Sequence, residues 1–236
     1  TAPSEIYTLS LHDALPISRH KGLVTGVAVA GFGGGAVVLT QIAARLMAEG
    51  LDVLAVFRWV GVVYGLVIVA AAQVMRFPGP PAAAAAQERV RVGELLRDRF
   101  FIALVVGIFS GTFAGLLVIG NLKPLGLWSG MSPAAAARTI SIFAAGNVAG
   151  RILWGQAADR LGRWSIPASL GSMAAALALL ALAAAWWPAG VAAASFLVGL
   201  GFGSCFVVYA AQTVAGYGDG RFGVVYPLVF LAYGAA

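Results

Sequence analysis

The sequence predicts an all-α polytopic membrane protein. Three observations carry this reading: an apolar composition, a succession of apolar runs of membrane-spanning length, and a one-sided distribution of basic residues between those runs. Of the 236 residues, 61% are hydrophobic and 10% charged, and the mean hydropathy is +0.91. A soluble domain averages about 25% charged residues. There is too little polar surface here to cover a globule in water, and a lipid bilayer is the solvent that fits.

A spanning helix needs about 20 mostly apolar residues. Seven such runs are legible, at roughly 22–48, 52–75, 100–122, 133–157, 165–187, 190–217 and from 222 onward. The long polar break is 76–99, RFPGPPAAAAAQERVRVGELLRDR. It reads as a linker, with ERVRVGELLRDR as a short amphipathic helix on the membrane surface. The organisation expected is a leader at 1–18, two helices in 19–75, the linker 76–99, and five helices in 100–236. Residues 5–18, EIYTLSLHDALPIS, resemble a translated sequencing-adapter read-through and are set aside from fold reasoning. The chain reads as truncated at both ends, because it begins without Met and stops inside an apolar run.

The basic residues orient the runs. Counting gaps alternately, one side receives Arg19, Lys21, Arg76, Arg89, Arg91, Arg97, Arg99, Arg160, Arg163 and Arg221; the other receives Lys123. By the positive-inside rule the first side is cytoplasmic. A multi-pass protein of the cell inner (plasma) membrane is expected, acting as a monomer.

Composition excludes several function classes. The net charge is +6, yet no nucleic-acid recognition motif accompanies it, so nucleic acid is not an expected partner. Cys205 is the only cysteine, and His12 and His20 precede every apolar run. No metal site, cofactor site or catalytic cluster is therefore expected, and an enzyme embedded in the membrane is disfavoured. GFGGGA at 31–36 and GLGFGS at 199–204 lie inside apolar helices rather than after a strand, so they read as helix-packing surfaces instead of phosphate loops. Gly22/Gly26 and Gly31/Gly35 have the same small-xxx-small spacing.

The most informative stretch is GNVAGRILWGQAADRLGRW, 146–164. Its Gly155, Asp159, Arg160, Gly162 and Arg163 form G-x-x-x-D-R-x-G-R, which resembles the cytoplasmic-loop signature of the major facilitator superfamily. Trp164 stands where that signature ends in a basic residue. The resemblance covers 19–236 and implies the major facilitator fold, with the runs here as helices five to eleven. It also implies that Asp159 clamps the two halves in one state, against the start of the first run near Lys21 to Val24. Physically, a carboxylate there meets the free N–H groups and positive dipole end of a neighbouring helix. RHKGLVTGVAVAGFGGGA and GVVYPLVFLAYGAA look like stretches of the oxalate/formate antiporter family.

One charge lies deep in a run. Arg151 precedes Asp159 by eight residues, about 12 Å at 1.5 Å per residue. An arginine at the centre of a spanning helix costs about 2.5–3.5 kcal/mol on insertion scales, so it faces a partner or a watery cavity. The fragment has no acidic residue deep in a run. The resemblance implies that Arg151 binds a substrate carboxylate, a role suited to its planar two-donor fork. The competing reading gives it an acid on a helix outside this chain, or lets it snorkel. Arg45, Arg58 and Arg138 lie nearer run ends, where snorkelling is easier. Asn147 shares a helix face with Arg151. Gln41, Tyr209 and Gln212 are candidates to line the path, although such polar residues commonly bond a neighbouring helix. The family's carboxylate antiporter carries a second basic residue at the position of Tyr233, which favours a monocarboxylate here. The function expected is alternating-access transport of a small organic anion. The alternatives are a drug or sugar carrier of the same superfamily, or a non-functional fragment.

Overall fold

The computed structural model describes residues 27, 35, 38, 39, 42, 43, 45–74 and 91–236. The leader 1–18, Lys21 to Val24, Gln41 and most of the linker lie outside the described residues. The chain divides into two compact units, Gly35–Arg89 and a second made of Thr1–Gly34 with Val90–Ala236. Among the described residues every regular element is helical.

In the first unit, α1 (Val53–Val74) is apolar on most of its circumference, with Arg58 its single charge, as suits a helix in lipid or among other helices. Asp52 caps it by accepting from the Ala55 N–H at 2.5 Å.

The second unit opens with α2 (Val92–Leu95), a single turn. Over 91–99 the expected amphipathic helix is no longer than this turn. It is marked by a fully exposed Arg91–Glu94 pair at 3.8 Å, of a kind that adds little stability. The next helix is α3 (Arg99–Trp128), capped by Asp98, which accepts from the Phe100 N–H. It then runs through Lys123 and Pro124 to Trp128, beyond the expected run end. Lys123 therefore sits on a helix rather than in a gap. One proline removes a single ladder bond and does not end a helix held by packing on both sides.

A short turn leads to α4 (Pro133–Leu161), started by the Ser132 cap and Pro133 in the first turn. A 3₁₀ turn, Gly162–Trp164, separates α4 from α5 (Ser165–Trp186). The expected single run 190–217 is two helices, α6 (Gly190–Ser204) and α7 (Val208–Tyr217). At Cys205–Val207 three successive N–H groups bond three residues back: to Phe202 at 3.2 Å, Gly203 at 3.4 Å and Ser204 at 3.1 Å. The break follows glycines at 199, 201 and 203, and the Ser204 hydroxyl competes for the Gly201 carbonyl at 2.6 Å. The last element is α8 (Asp219–Ala235).

The core of this unit is the α4–α6 contact. Gly146 and Gly150 on α4 face Gly199 and Gly203 on α6, each pair at i,i+4. A methyl on Gly146 would overlap the Phe196 carbonyl oxygen, one on Gly150 that of Leu200, one on Gly199 that of Phe143, and one on Gly203 that of Asn147. The backbones touch, as small-xxx-small packing in lipid allows. The packing role expected of 199–204 holds; its partner strip Gly146/Gly150 lay in the signature stretch with the same spacing. The hydroxyls of Thr112, Ser195 and Thr213 donate to carbonyls of their own helices, those of Ile108, Val191 and Tyr209.

Two bonds gather the ends. The Tyr217 hydroxyl donates to Asp98, joining the end of α7 to the start of α3. Gln212 Nε2 donates to the Gly162 carbonyl at 2.9 Å. Residues 98, 162 and 217 thus share one end of the unit, and Arg97, Arg99, Arg160, Arg163 and Arg221 belong to it by sequence.

Candidate functional site

Arg151 is the largest of the fully buried side chains, 2% exposed. Its depth follows from the glycine contact: Gly203 lies against the Arg151 backbone N. One turn further along, the chain presents Phe206, whose ring centre is 4.2 Å from the guanidinium carbon. A desolvated cation on an aromatic face gains about 2 kcal/mol. The Nε donates to Asn147 Oδ1 at 3.3 Å, as the i,i+4 spacing predicts. Among the described residues of this unit the acidic ones, Glu94, Asp98, Asp159 and Asp219, stand near helix ends.

Around Phe206 stands an aromatic ladder on α8. Phe222 stacks on Tyr226 at 5.0 Å, Tyr226 meets Phe230 at 5.6 Å, and Phe230 stacks on Tyr233 at 5.3 Å. Tyr233 and Phe230 close on Phe206 at 5.6 and 6.2 Å. Tyr226 and Tyr233 are both within electrostatic reach of the guanidinium. The structure thus brings together Arg151, Asn147 and Tyr233, and adds Phe206, Tyr226 and Phe230, which sequence reasoning did not single out. Their signal was present: 222, 226, 230 and 233 recur at helical spacing in the last run. Chemically, one planar cation with aromatic walls offers two parallel donors to a carboxylate and apolar surface to its substituent.

Of the other candidates, Tyr209 and Gln212 have their own partners or surroundings. Tyr209 is buried with its ring against α3, where a methyl on Gly107 would come within 2.6 Å of the hydroxyl. Its hydroxyl has no hydrogen-bond partner among the described residues. Gln212 is spent on Gly162, and Gln41 lies outside the described residues. In the signature, Gly155 is buried, whereas Asp159, Arg160, Gly162 and Arg163 are exposed. The Arg163 guanidinium lies 5.3 Å from the Trp164 ring centre, where the signature would place a basic residue. The expected place of Asp159 beside Lys21 to Val24 falls outside the described residues. Among the described residues no cluster of side chains could hold a metal ion.

The sequence matches the family profile described as Major Facilitator Superfamily over residues 9–236, which takes in the second half of the leader. It is also similar to the oxalate:formate antiporter of Oxalobacter formigenes, 33% identical over 171 residues. That alignment covers 70% of this chain and 40% of the relative, so the chain spans about two fifths of the length of the relative it matches.

Proposed function

We propose, from the premise that this chain belongs to the Major Facilitator Superfamily, that it is part of a multi-pass carrier moving a small organic anion across a membrane. The reaction is translocation by alternating access, with no covalent step. One observation carries the choice of an anion: the buried Arg151 guanidinium, set on Phe206, whose ring in turn meets Tyr233 of α8. A planar guanidinium suits a carboxylate, which accepts two parallel hydrogen bonds from it. The similarity to an oxalate:formate antiporter supports a carboxylate. Tyr233, an uncharged neighbour on the α8 side, favours one carboxylate over two, because a dicarboxylate would leave its second charge beside aromatic rings. The membrane is the cell's inner membrane, with the end that carries Arg97, Arg99, Arg160 and Arg163 toward the cytoplasm.

The test is exchange of radiolabelled formate and oxalate in proteoliposomes. Arg151→Lys keeps the charge and loses the fork, so uptake falls strongly; Arg151→Gln abolishes it with insertion intact. Unchanged exchange in the Gln variant refutes the assignment. A drug or sugar carrier of the same superfamily is the second reading, favoured by the aromatic walls; uptake of neutral solutes insensitive to Arg151→Gln would select it.

A further inference from the structure

Gln212 was a candidate for the transport path, and the structure gives it a different employment. Its side chain is buried at 6% exposure on α7. Its Nε2 reaches across to another segment and donates to the carbonyl oxygen of Gly162, fifty residues earlier, at 2.9 Å. That carbonyl already accepts from the Ser165 N–H. Both of its lone pairs are therefore used, one by the local turn and one by α7.

Gly162 is the pivot of the signature turn. Its φ of 50° and ψ of −127° lie where only glycine is comfortable. Its N–H closes α4 on the Ala158 carbonyl. On the outer side of this pivot Asp159, Arg160 and Arg163 are exposed, while on the inner side Ser165 is buried. A turn with an unusual backbone and an exposed outer face is thus held from beneath by an amide on a different helix. A leucine would fill the same space without the cost of burying an amide. The amide matters for its donor.

We propose that Gln212 is a positioning residue for the signature turn: it holds Gly162–Trp164 against α7 and so fixes the direction in which Asp159, Arg160 and Arg163 leave the helix pair. For its consequence the inference rests on the carrier reading, since the direction of those charges bears on how readily the carrier changes state. Gln212 then acts on the rate of translocation and leaves the substrate site alone.

The test has two arms, and the first needs no substrate. Hydrogen exchange is followed by mass spectrometry on the chain in lipid nanodiscs, comparing the native protein with Gln212→Met and Gln212→Glu. Met keeps the volume without a donor; Glu keeps the shape and sets an acceptor against the carbonyl. Exchange at Trp164 and Ser165 should rise about five-fold in the Met variant, as loss of one hydrogen bond of typical net strength predicts, and further in the Glu variant. Exchange across 190–204 should stay as it was. No change at Ser165, or an equal rise across 190–204, overturns the proposal. The second arm measures formate exchange for Gln212→Met in proteoliposomes of the protein that carries this chain. The maximal rate should fall several-fold at an unchanged half-saturating formate concentration. A raised half-saturating concentration at an unchanged maximal rate would return Gln212 to the transport path and overturn the proposal. If the carrier reading itself is wrong, formate exchange is absent in both proteins while the rise at Ser165 remains.

Discussion

The Tyr217 hydroxyl donates to the Asp98 carboxylate, 119 residues earlier in the chain, and ties the last turn of α7 to the cap of α3. Phe100 packs on Tyr217 at 5.8 Å between ring centres and reinforces the same junction. The donated bond from Tyr217, and behind it the Phe100 N–H, holds the Asp98 carboxyl below its ordinary value of 3.8. The native state therefore binds fewer protons than the unfolded chain in this range. The stabilisation is present above about pH 4 and is lost as the pH falls through the depressed value. Thermal midpoints in detergent between pH 6 and pH 3 should show this loss, and Asp98→Asn should remove that part of the pH dependence. Tyr217→Phe should lower the midpoint at pH 7 by about 2–4 °C, as loss of a bond of typical net strength does in a chain of this size. A midpoint in Tyr217→Phe equal to that of the native protein contradicts the assignment.

The glycine strip between α4 and α6 predicts a sharp positional pattern. Gly150→Ala and Gly203→Ala drive a methyl into a facing carbonyl that cannot move without its helix, and overpacking of this kind costs about 1–3 kcal/mol or more. Gly120→Ala, on the same kind of helix but with open space around it, should be neutral or slightly stabilising. Yields of monodisperse protein and thermal midpoints give the comparison. Equal behaviour of the three variants would mean that α4 and α6 do not touch through their glycines.

Arg151 and Phe206 should be energetically coupled. Phe206→Leu removes the ring and Phe206→Tyr keeps it. A double-mutant cycle of Phe206→Leu with Arg151→Gln on thermal stability should give a coupling of about 1–2 kcal/mol, and Phe206→Tyr should retain most of the native stability. A cycle that closes to zero means the ring and the cation only happen to be near each other.

Sidedness is open to direct labelling. Cys205 is buried, so the native protein should react slowly with maleimides, and Cys205→Ala supplies a clean background. Single cysteines at Arg89 and Trp128 should then label from opposite faces of the membrane, and cysteines at Arg89 and Arg163 from the same face. Arg89 and Trp128 reacting from one face would overturn the orientation read from the basic residues.

Most of the helices were legible because length and apolarity set them, and lipid demands both. The helix ends were less so. The third run reads as ending at 122 with Lys123 in a gap, but neighbouring helices keep the turn at Pro124 in place, and α3 continues to Trp128. The break at Cys205–Val207 was hidden because every residue there is apolar or small, while its cause is a competition for carbonyls that only coordinates display. At the site, the depth of Arg151 was readable from its distance to Asp159. Phe206 was not, because its place is set by the α4–α6 register. Gln212 was ambiguous for a related reason: an isolated amide in an apolar run announces that it has a partner without saying whether that partner is a solute or a backbone fifty residues away.

The break between α6 and α7 makes a joint of a segment that would otherwise be one rod. On one side of it α6 is keyed to α4 by glycine and cannot slide; on the other α7 is fastened at Gly162 and Asp98. Phe206 sits in the joint itself. The three-residue collar Cys205–Val207 therefore sets the angle between α6 and α7 and, with it, the tilt of the Phe206 ring against the Arg151 guanidinium.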